Sequence, residues 1–459
     1  MSRRRFLAAT GAAAALPFIV PGSVFGQGTR KTRPSNRVVM AAIGWGMQGP
    51  GNTQNFLSFD DCQVVAVCDL DKNVLAGAVR HVNEHYGNQD CKGYHDYREL
   101  LAREDIDAVM IAVPDHWHNL VATEAARRGK HIYGEKPLAR TIAEQQGMVK
   151  AVEENGVTWQ TGSWQRSVAN FRKAAEIVRN GLIGQVTHVQ VGLPAGHTDF
   201  AGSAPELLAR LGQTGKGDYL ATVLPGTPDW DKAVTPPPAE LDYEMWIGPS
   251  RMEPYIKQRV HKDWRWNYNT GGGQLLDWIG HHCDIAHWGL DFDNSGPSEI
   301  EGHGDFPDPK AIWNTCTKYR IEIKYPQDIT MTIAGGHSDI RGGTKWIGTD
   351  GWVSVDRGHF DSSNPDWKKP KNLPDSVIKH RLYKSDSHFR NFADCVKSGK
   401  PTITPIRTAH HSAIPGHLSL ISMLTGRKIR WDVATEQILD DPGASQLLTR
   451  EYRAPWRMG

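Results

Sequence analysis

Residues 271–290 read GGGQLLDWIGHHCDIAHWGL, and this apolar stretch holds Asp277, His281, His282, Asp284 and His287. On a helix, residues four positions apart lie on one face about a turn apart, so Asp277 and His281 can address one ligand. An imidazole titrates near neutrality and suits the taking and returning of a proton, and a neighbouring carboxylate can raise its pKa or fix its tautomer. Three readings of the stretch stand open: an acid/base site, a satisfied buried pair in a capped core helix, or a metal site built from His281 and Asp284 with His282 or His287. His282 points roughly a quarter-turn away from His281, and no acidic or cysteine cluster elsewhere closes a coordination shell, so no metal is expected. For His282, substrate contact, helix packing and salt bridging all remain open.

Two further motifs supply a cofactor and a cation. Gly44, Gly46 and Gly49 form G-x-G-x-x-G directly after the apolar run RVVMAAIG. A helix beginning at the end of that turn offers free N–H groups and a favourable dipole to a pyrophosphate. The next apolar run, CQVVAVCD, ends in Asp69, twenty positions after Gly49, the separation expected of a carboxylate that accepts hydrogen bonds from an adenosine ribose. A carboxylate there repels a 2′-phosphate, so NAD is expected over NADP, with NADP left open by nearby Lys72. Met47 and Gln48, inside the glycine turn, belong to the same expected cofactor site. GEKPLA, at 134–139, closes a short strand and delivers Glu135, Lys136 and Pro137 to the carboxyl edge of a sheet, where open α/β sheets bind ligands. A lysine held there can donate to a substrate hydroxyl. Pro114 ends the third apolar run, IDAVMIAVP, and is expected at the cofactor site with His118; of His116 and His118, which follow the run, one is expected to cap the next helix and one to approach the nicotinamide side.

These residues need a scaffold, and the alternation of apolar runs with helical segments implies a doubly wound parallel sheet. Beyond it, FRKAAEIVRNGLIGQVTHVQVGL reads as a helix stopped at Gly181 and then a strand. Alternating segments such as RIEIKYPQDITMTIAG read as strands of a more open sheet. The chain is therefore expected to be α/β throughout, an N-terminal Rossmann domain at 37–160 followed by a C-terminal α/β domain on an open, mostly antiparallel sheet at 161–430, with an extension at 431–459. Residues 195–240 are rich in Gly and Pro and are expected to form a functional loop or an oligomer arm.

Composition narrows the partners. Across 459 residues, 53 Lys and Arg balance 51 Asp and Glu, which leaves no broad basic face for nucleic acid. Sixteen tryptophans tilt slightly toward a carbohydrate ligand, although most such rings serve cores. Six cysteines without a C-x-x-C pair signal neither a zinc ribbon nor a thioredoxin-type site. The opening MSRRRFLAATGAAAALPFIVPGSVFG has the layout of an export signal, with an apolar run too short and too broken by Pro17 and Pro21 to span a membrane. Its Ser-Arg-Arg-x-Phe-Leu order resembles a twin-arginine signal over 1–26, followed by a linker at 27–36; the alternative is a basic tail. Export to the periplasm, with no membrane segment in the mature form, is the expectation.

Together, the glycine turn, the acidic end of the second strand, E-K-P and the later G-G-G with D-x-x-x-H resemble the Gfo/Idh/MocA oxidoreductases. The resemblance extends through PDHWHNLVATEAARRGKHIYGEKPLA, GLIGQVTHV, GRKIRWD and LLTREYRAPW. It implies a homo-oligomer that transfers hydride between NAD(P) and a small sugar or polyol. By the same resemblance, Lys136 and Asp277 polarise the reacting hydroxyl and His281 removes its proton. GSWQRS resembles a family segment near the site, which implies ligand contacts for Gln165 and Arg166, while Trp164 departs from the pattern. Arg265, Trp266 and Tyr268 in WRWNYNTGGG could hydrogen-bond and stack on a sugar or serve structure alone. An exported redox enzyme lacks the cytoplasmic NAD pool, so a tightly held cofactor is expected. Glycoside cleavage through transient oxidation and elimination is the alternative chemistry.

Overall fold

Strand β1 (Val38–Ile43) buries both of its faces: Met40 and Ala42 join Phe56, Val64 and Tyr133, while Ala41 and Ile43 join Ile111, Val121 and Ile132. That is why the run reads as continuously apolar rather than alternating. The structure, a computed structural model, describes residues 36–196, 205–212, 221–369 and 373–458. The expected signal, nearly all of the linker, and parts of the Gly- and Pro-rich stretch lie outside the described residues.

Strands β1, β2 (Cys62–Cys68), β3 (Lys92–Tyr94), β4 (Ala108–Ile111), β5 (His131–Gly134) and β6 (Trp159–Thr161) form a parallel sheet in the order β3-β2-β1-β4-β5-β6. Helices α1 (Gly49–Leu57), α2 (Lys72–Tyr86), α3 (Asp115–Arg127) and α4 (Ile142–Glu154) link them. The strand order reverses between β1 and β4, and the crevice at their carboxyl ends is the place where such sheets bind ligands. Local sequence sets the helix ends: Asp71 caps α2 by accepting from the N–H groups of Asn73 and Val74, and Gly87 stops it at φ +64°.

The second sheet has nine strands: β7 (Val186–Leu193), β8 (Glu299–Asp305), β9 (Lys318–Lys324), β10 (Thr330–Gly335), β11 (Gly343–Gly348), β12 (Trp352–Asp356), β13 (His359–Ser362), β14 (Ile429–Asp432) and β15 (Gln437–Ile438). Their order is β13-β12-β11-β7-β10-β9-β8-β14-β15, and only the β7–β10 pair is parallel. Tyr319, Ile321 and Ile323 of β9 point into the core while Lys318, Glu322 and Lys324 point out, the period of two expected of a sheet with one buried face. The later helices are α5 (Ala169–Arg179), α6 (Gly273–Leu290), α7 (His388–Ser398) and α8 (Ile406–Thr425). Helix α6 lies between the sheet and α8, so nearly all its residues are buried.

The first sheet runs to Thr161, and β14 begins at Ile429. The chain also returns to the first domain twice. Phe392 of α7 packs edge-on against Phe56 and Tyr133 beneath the parallel sheet. The C-terminal tail straps α3 and α4: Trp456 meets Trp117 edge-on, and Arg450 and Tyr452 both donate to Glu144. All six cysteines are buried free thiols.

Candidate active site

The glycine turn works because its backbone is closely packed where it must bend and open where a ligand must enter. Gly44 sits at φ +89°, and a Cβ there would lie 2.4 Å from the Ala112 carbonyl oxygen; one on Gly49 would lie 2.1 Å from the Gly44 oxygen. A Cβ on Gly46 would meet nothing within 4 Å. Helix α1 then starts without a side-chain cap, which leaves its first N–H groups available to an anion. Asp69 is held by the N–H groups of Trp45 (2.8 Å) and Asp71 (3.0 Å), with lone pairs to spare. Gly44, Gly46, Met47, Gln48, Asp69, Pro114, Glu135 and Lys136 all line one cleft. These residues fit a dinucleotide: an open glycine edge and helix start for the pyrophosphate, a carboxylate for the ribose. Among the described residues, Lys136 and Arg265 are the Lys and Arg side chains that line the cleft.

Beside the E-K-P loop, Asp277 is clasped by two cations, accepting from Lys136 Nζ at 3.0 Å and from Arg265 Nε at 3.0 Å. Burial opposes its ionisation, but the two adjacent positive charges prevail and hold its carboxyl well below the usual range. His281, 5% exposed, has no hydrogen-bond partner on Nδ1. Burial and the charges of Lys136 and Arg357 push its pKa well below 6.5, against the opposing pull of Asp277; the ring is neutral near pH 7 and able to accept a proton. Gly280 allows the close approach of α6 to the E-K-P loop, since a Cβ there would already lie 3.1 Å from Lys136 Cβ. Asp115, at the start of α3 in the same cleft, has an unpartnered buried oxygen, and burial pushes its carboxyl up to about 7.

The segment Ser163–Ser167 is a strap across α6. Ser163 Oγ donates to the Gly280 carbonyl. The Gln165 amide, oriented to satisfy both ends, donates to the His281 carbonyl and accepts from Arg357 Nε, each at 3.1 Å. Arg166 donates to Asp284 and Asp293 at 2.7–3.0 Å, and Ser167 Oγ meets His388 Nδ1 at 2.9 Å.

Several expected ligand residues are turned elsewhere. Arg166 is 1% exposed with its guanidinium committed to two carboxylates, so it positions α6 rather than facing the cleft. Trp266, also 1% exposed, packs on Trp313, and it is Trp264 that lines the cleft beneath Arg265. Tyr268 stacks with Arg140 on another face. His118 lies between the carbonyls of Pro137 (2.7 Å) and Val113 (2.8 Å) and ties the E-K-P loop to the end of β4; burial lowers its pKa, so the neutral ring donates to one of them. Glu135 is buried and accepts from Asn52. Gly49 shapes the turn without lining the cleft. His282 is buried against Trp278, 3.5 Å from Asp356, and burial lowers it to about 4. His287 meets the Tyr325 hydroxyl. Among the described residues no three His, Cys, Asp or Glu side chains are grouped to hold a metal ion, and no helix is long and apolar enough to cross a membrane. Sequence reasoning missed Asp115, Trp264 and Arg357. Asp115 was in view beside Pro114, the tryptophan could have been found only by register, and nothing near Arg357 in the sequence marks it.

A parallel sheet in this order, with a glycine turn at its switch point and Lys136, Asp277 and His281 gathered at the E-K-P loop, is the architecture of a dinucleotide-binding domain joined to a candidate acid/base site. The chain belongs to the Gfo/Idh/MocA oxidoreductase family: the family's NAD-binding Rossmann fold matches residues 38–163, and its C-terminal alpha/beta domain matches residues 229–458, half of the chain. Among curated relatives, a glycosyl hydrolase family 109 protein 2 of Shewanella sp. (strain ANA-3) is 36% identical over 160 residues, covering 33% of this chain and 34% of its own. An uncharacterized oxidoreductase YrbE of Bacillus subtilis is 33% identical over 151 residues, 33% of this chain and 42% of its own. The match thus spans about a third of the length of the first of these relatives. Similar solved structures include the WlbA dehydrogenase from Bordetella pertussis in complex with NADH and UDP-GlcNAcA (TM-score 0.60, 16% identity, 86% of this chain and 98% of that one). Another is the aldose-aldose oxidoreductase from Caulobacter crescentus complexed with glycerol (TM-score 0.59, 18% identity, 86% and 99%). At these identities the likeness is one of fold.

Proposed function

We propose that this enzyme transfers hydride between a carbinol carbon of a sugar, glycoside or cyclic polyol and an NAD that it holds tightly through a closed redox cycle, after export through the twin-arginine route. The observation that carries the reading is the convergence of Lys136, Asp277 and an unpartnered, neutral His281 at one end of the dinucleotide cleft. NAD, when bound, supplies the two-electron acceptor and donor. Lys136 spends one N–H on Asp277 and keeps two to hold the substrate oxygen. Asp277, fixed by Arg265, keeps the lysine aimed and offsets its charge. His281 takes the hydroxyl proton as hydride leaves the carbon and returns it in the reverse half-cycle. Trp164, Trp278 and Trp264 supply apolar walls. The enzyme is taken to work as a homo-oligomer, which light scattering checks.

The decisive experiment purifies the mature protein, denatures it and identifies released nucleotide and its redox state by mass spectrometry and absorbance. Stoichiometric NAD or NADH is the expected outcome. A protein that emerges empty yet binds added NAD readily discards the closed cycle; one that binds neither NAD nor NADP discards the whole reading. Export is checked by fractionation after Arg3→Lys and Arg4→Lys, which should trap the protein inside the cell. A second reading has support from the family 109 relatives: oxidation at one carbon acidifies the neighbouring C–H, a glycosidic bond is eliminated, and hydride returns. Release of a free aglycone or sugar without net NADH distinguishes it.

A further inference from the structure

The turn joining β12 to β13 brings Arg357 to the reacting end of the site. Its guanidinium packs 4.7 Å from the ring centre of Trp164 and 4.6 Å from that of Trp278, the same two indoles that stand edge-on to His281. Its Nε is tied to the Gln165 amide, whose other end holds the His281 carbonyl. The adjacent carboxylate of Asp356 is turned back, accepting from the Arg357 backbone N–H at 2.7 Å and facing His282. Among the described residues no carboxylate lies within ion-pair distance of Arg357, and its two terminal nitrogens make no hydrogen bond. The side chain is exposed to solvent.

Such an arrangement holds a cation rigidly while leaving its fork of donors free. Two aromatic walls and one Nε hydrogen bond remove most of the rotamer freedom that a substrate would otherwise have to quench. A planar fork with two free nitrogens matches a carboxylate in its own plane. Lys136 and Arg265 pair with Asp277, while the one carboxylate adjacent to Arg357, that of Asp356, is turned toward His282 and leaves the guanidinium fork open.

We propose that Arg357 is a substrate anchor for a carboxylate, so that the site takes an acidic sugar in preference to its neutral parent. This rests on the oxidoreductase reading of the Lys136–Asp277–His281 site and names the substrate class that the site accepts. Trp164 and Gln165 then act as positioning residues for the anchor, and the departure of Trp164 from the family segment has a purpose: it provides one of the two walls.

The test titrates the intact, NAD-loaded protein by calorimetry with matched pairs, each a hexuronate and its parent hexose. Wild type should bind at least one acid about tenfold or more tightly than its parent, and the preference should shrink as salt rises. Arg357→Gln should bring the two members of that pair level, and Arg357→Lys should keep part of the preference. Thermal midpoints and NAD affinity of both variants report whether the fold holds; a merely structural arginine would lower those and leave the acid-to-neutral ratio unchanged. Equal binding of acid and parent by wild type, binding of no acid at all, or a preference that survives in a folded Arg357→Gln overturns the anchor. Turnover is read separately by NADH absorbance. Selective acid binding without hydride transfer overturns the oxidoreductase reading and not the anchor, whereas oxidation of neutral and acidic members alike does the reverse.

Discussion

At the scale of single residues, each member of the site has its charge state set by its neighbours. Lys136 and Arg265 both bind Asp277, so removing the lysine leaves the carboxylate paired and the helix in place. Lys136→Met is therefore expected to lower kcat about a hundredfold or more while NAD affinity, measured by fluorescence titration, stays close to that of wild type. The depressed pKa of His281 predicts a pH profile: a base that is already neutral gains nothing as pH rises through about 6.5. The kcat/KM of wild type should be flat across that range, with its acid limb lower. In Lys136→Met one repelling charge is gone, so the residual activity should show that limb displaced upward. A wild-type profile that halves near 6.5 would mean that the essential base is not this buried imidazole.

At the scale of elements, the site depends on close approaches that only small residues allow. Gly49→Ala places a Cβ against the Gly44 oxygen, so the turn must open; NAD affinity should fall about tenfold or more, roughly 1.4 kcal/mol, with circular dichroism unchanged. Helix α6 is held in register by Arg166, buried with Asp284 and reaching Asp293. Arg166→Met leaves a buried carboxylate uncompensated and should cost about 3–5 kcal/mol in urea unfolding. A loss below about 1 kcal/mol would show that the pair is dispensable. The i, i+4 spacing of Asp277 and His281 and the offset from Gly49 to Asp69 were legible because each is a local property of one helix or one strand–turn–helix unit. The partner of Arg166 was not, since GSWQRS says nothing about which face of α6 it will cross.

At the scale of the whole molecule, the chain buries an unusual set of neutral histidines. Burial lowers His116, His287 and His417 to about 3, and His282 and His388 to about 4. Each pKa lies below its unfolded value of about 6.5, so the unfolded chain takes up protons that the native one refuses. Their contribution to stability is present above about 6.5 and is lost as pH falls toward 4, at up to roughly 1.4 kcal/mol per pH unit for each. Asp115, raised to about 7, and Asp69, Glu135 and Asp284, also raised by burial, have the opposite sign and cost stability as pH rises, but with His118 and His281 also lowered the histidines outnumber them. The thermal midpoint should accordingly drop steeply between about pH 6.5 and 4; a midpoint constant over that range would contradict the burial of these rings. Several of them line the seams between the two sheets' helices, where the returns of α7 and the C-terminal tail join the domains.

By itself the sequence determined the class of fold, the dinucleotide turn, the acidic end of β2, the E-K-P lysine and the Asp277–His281 pair. All of these are written in short-range spacing, where strand period, helix period and turn chemistry act within one element. Tertiary structure alone decided that Trp264 rather than Trp266 faces the cleft, that Arg166 and His118 hold structure together, that α7 closes the parallel sheet from far along the chain, and that Arg357 arrives beside His281. Those outcomes depend on the register of β12 in an open sheet and on which helix faces meet. Long-range packing settles such matters, and no local periodicity encodes them.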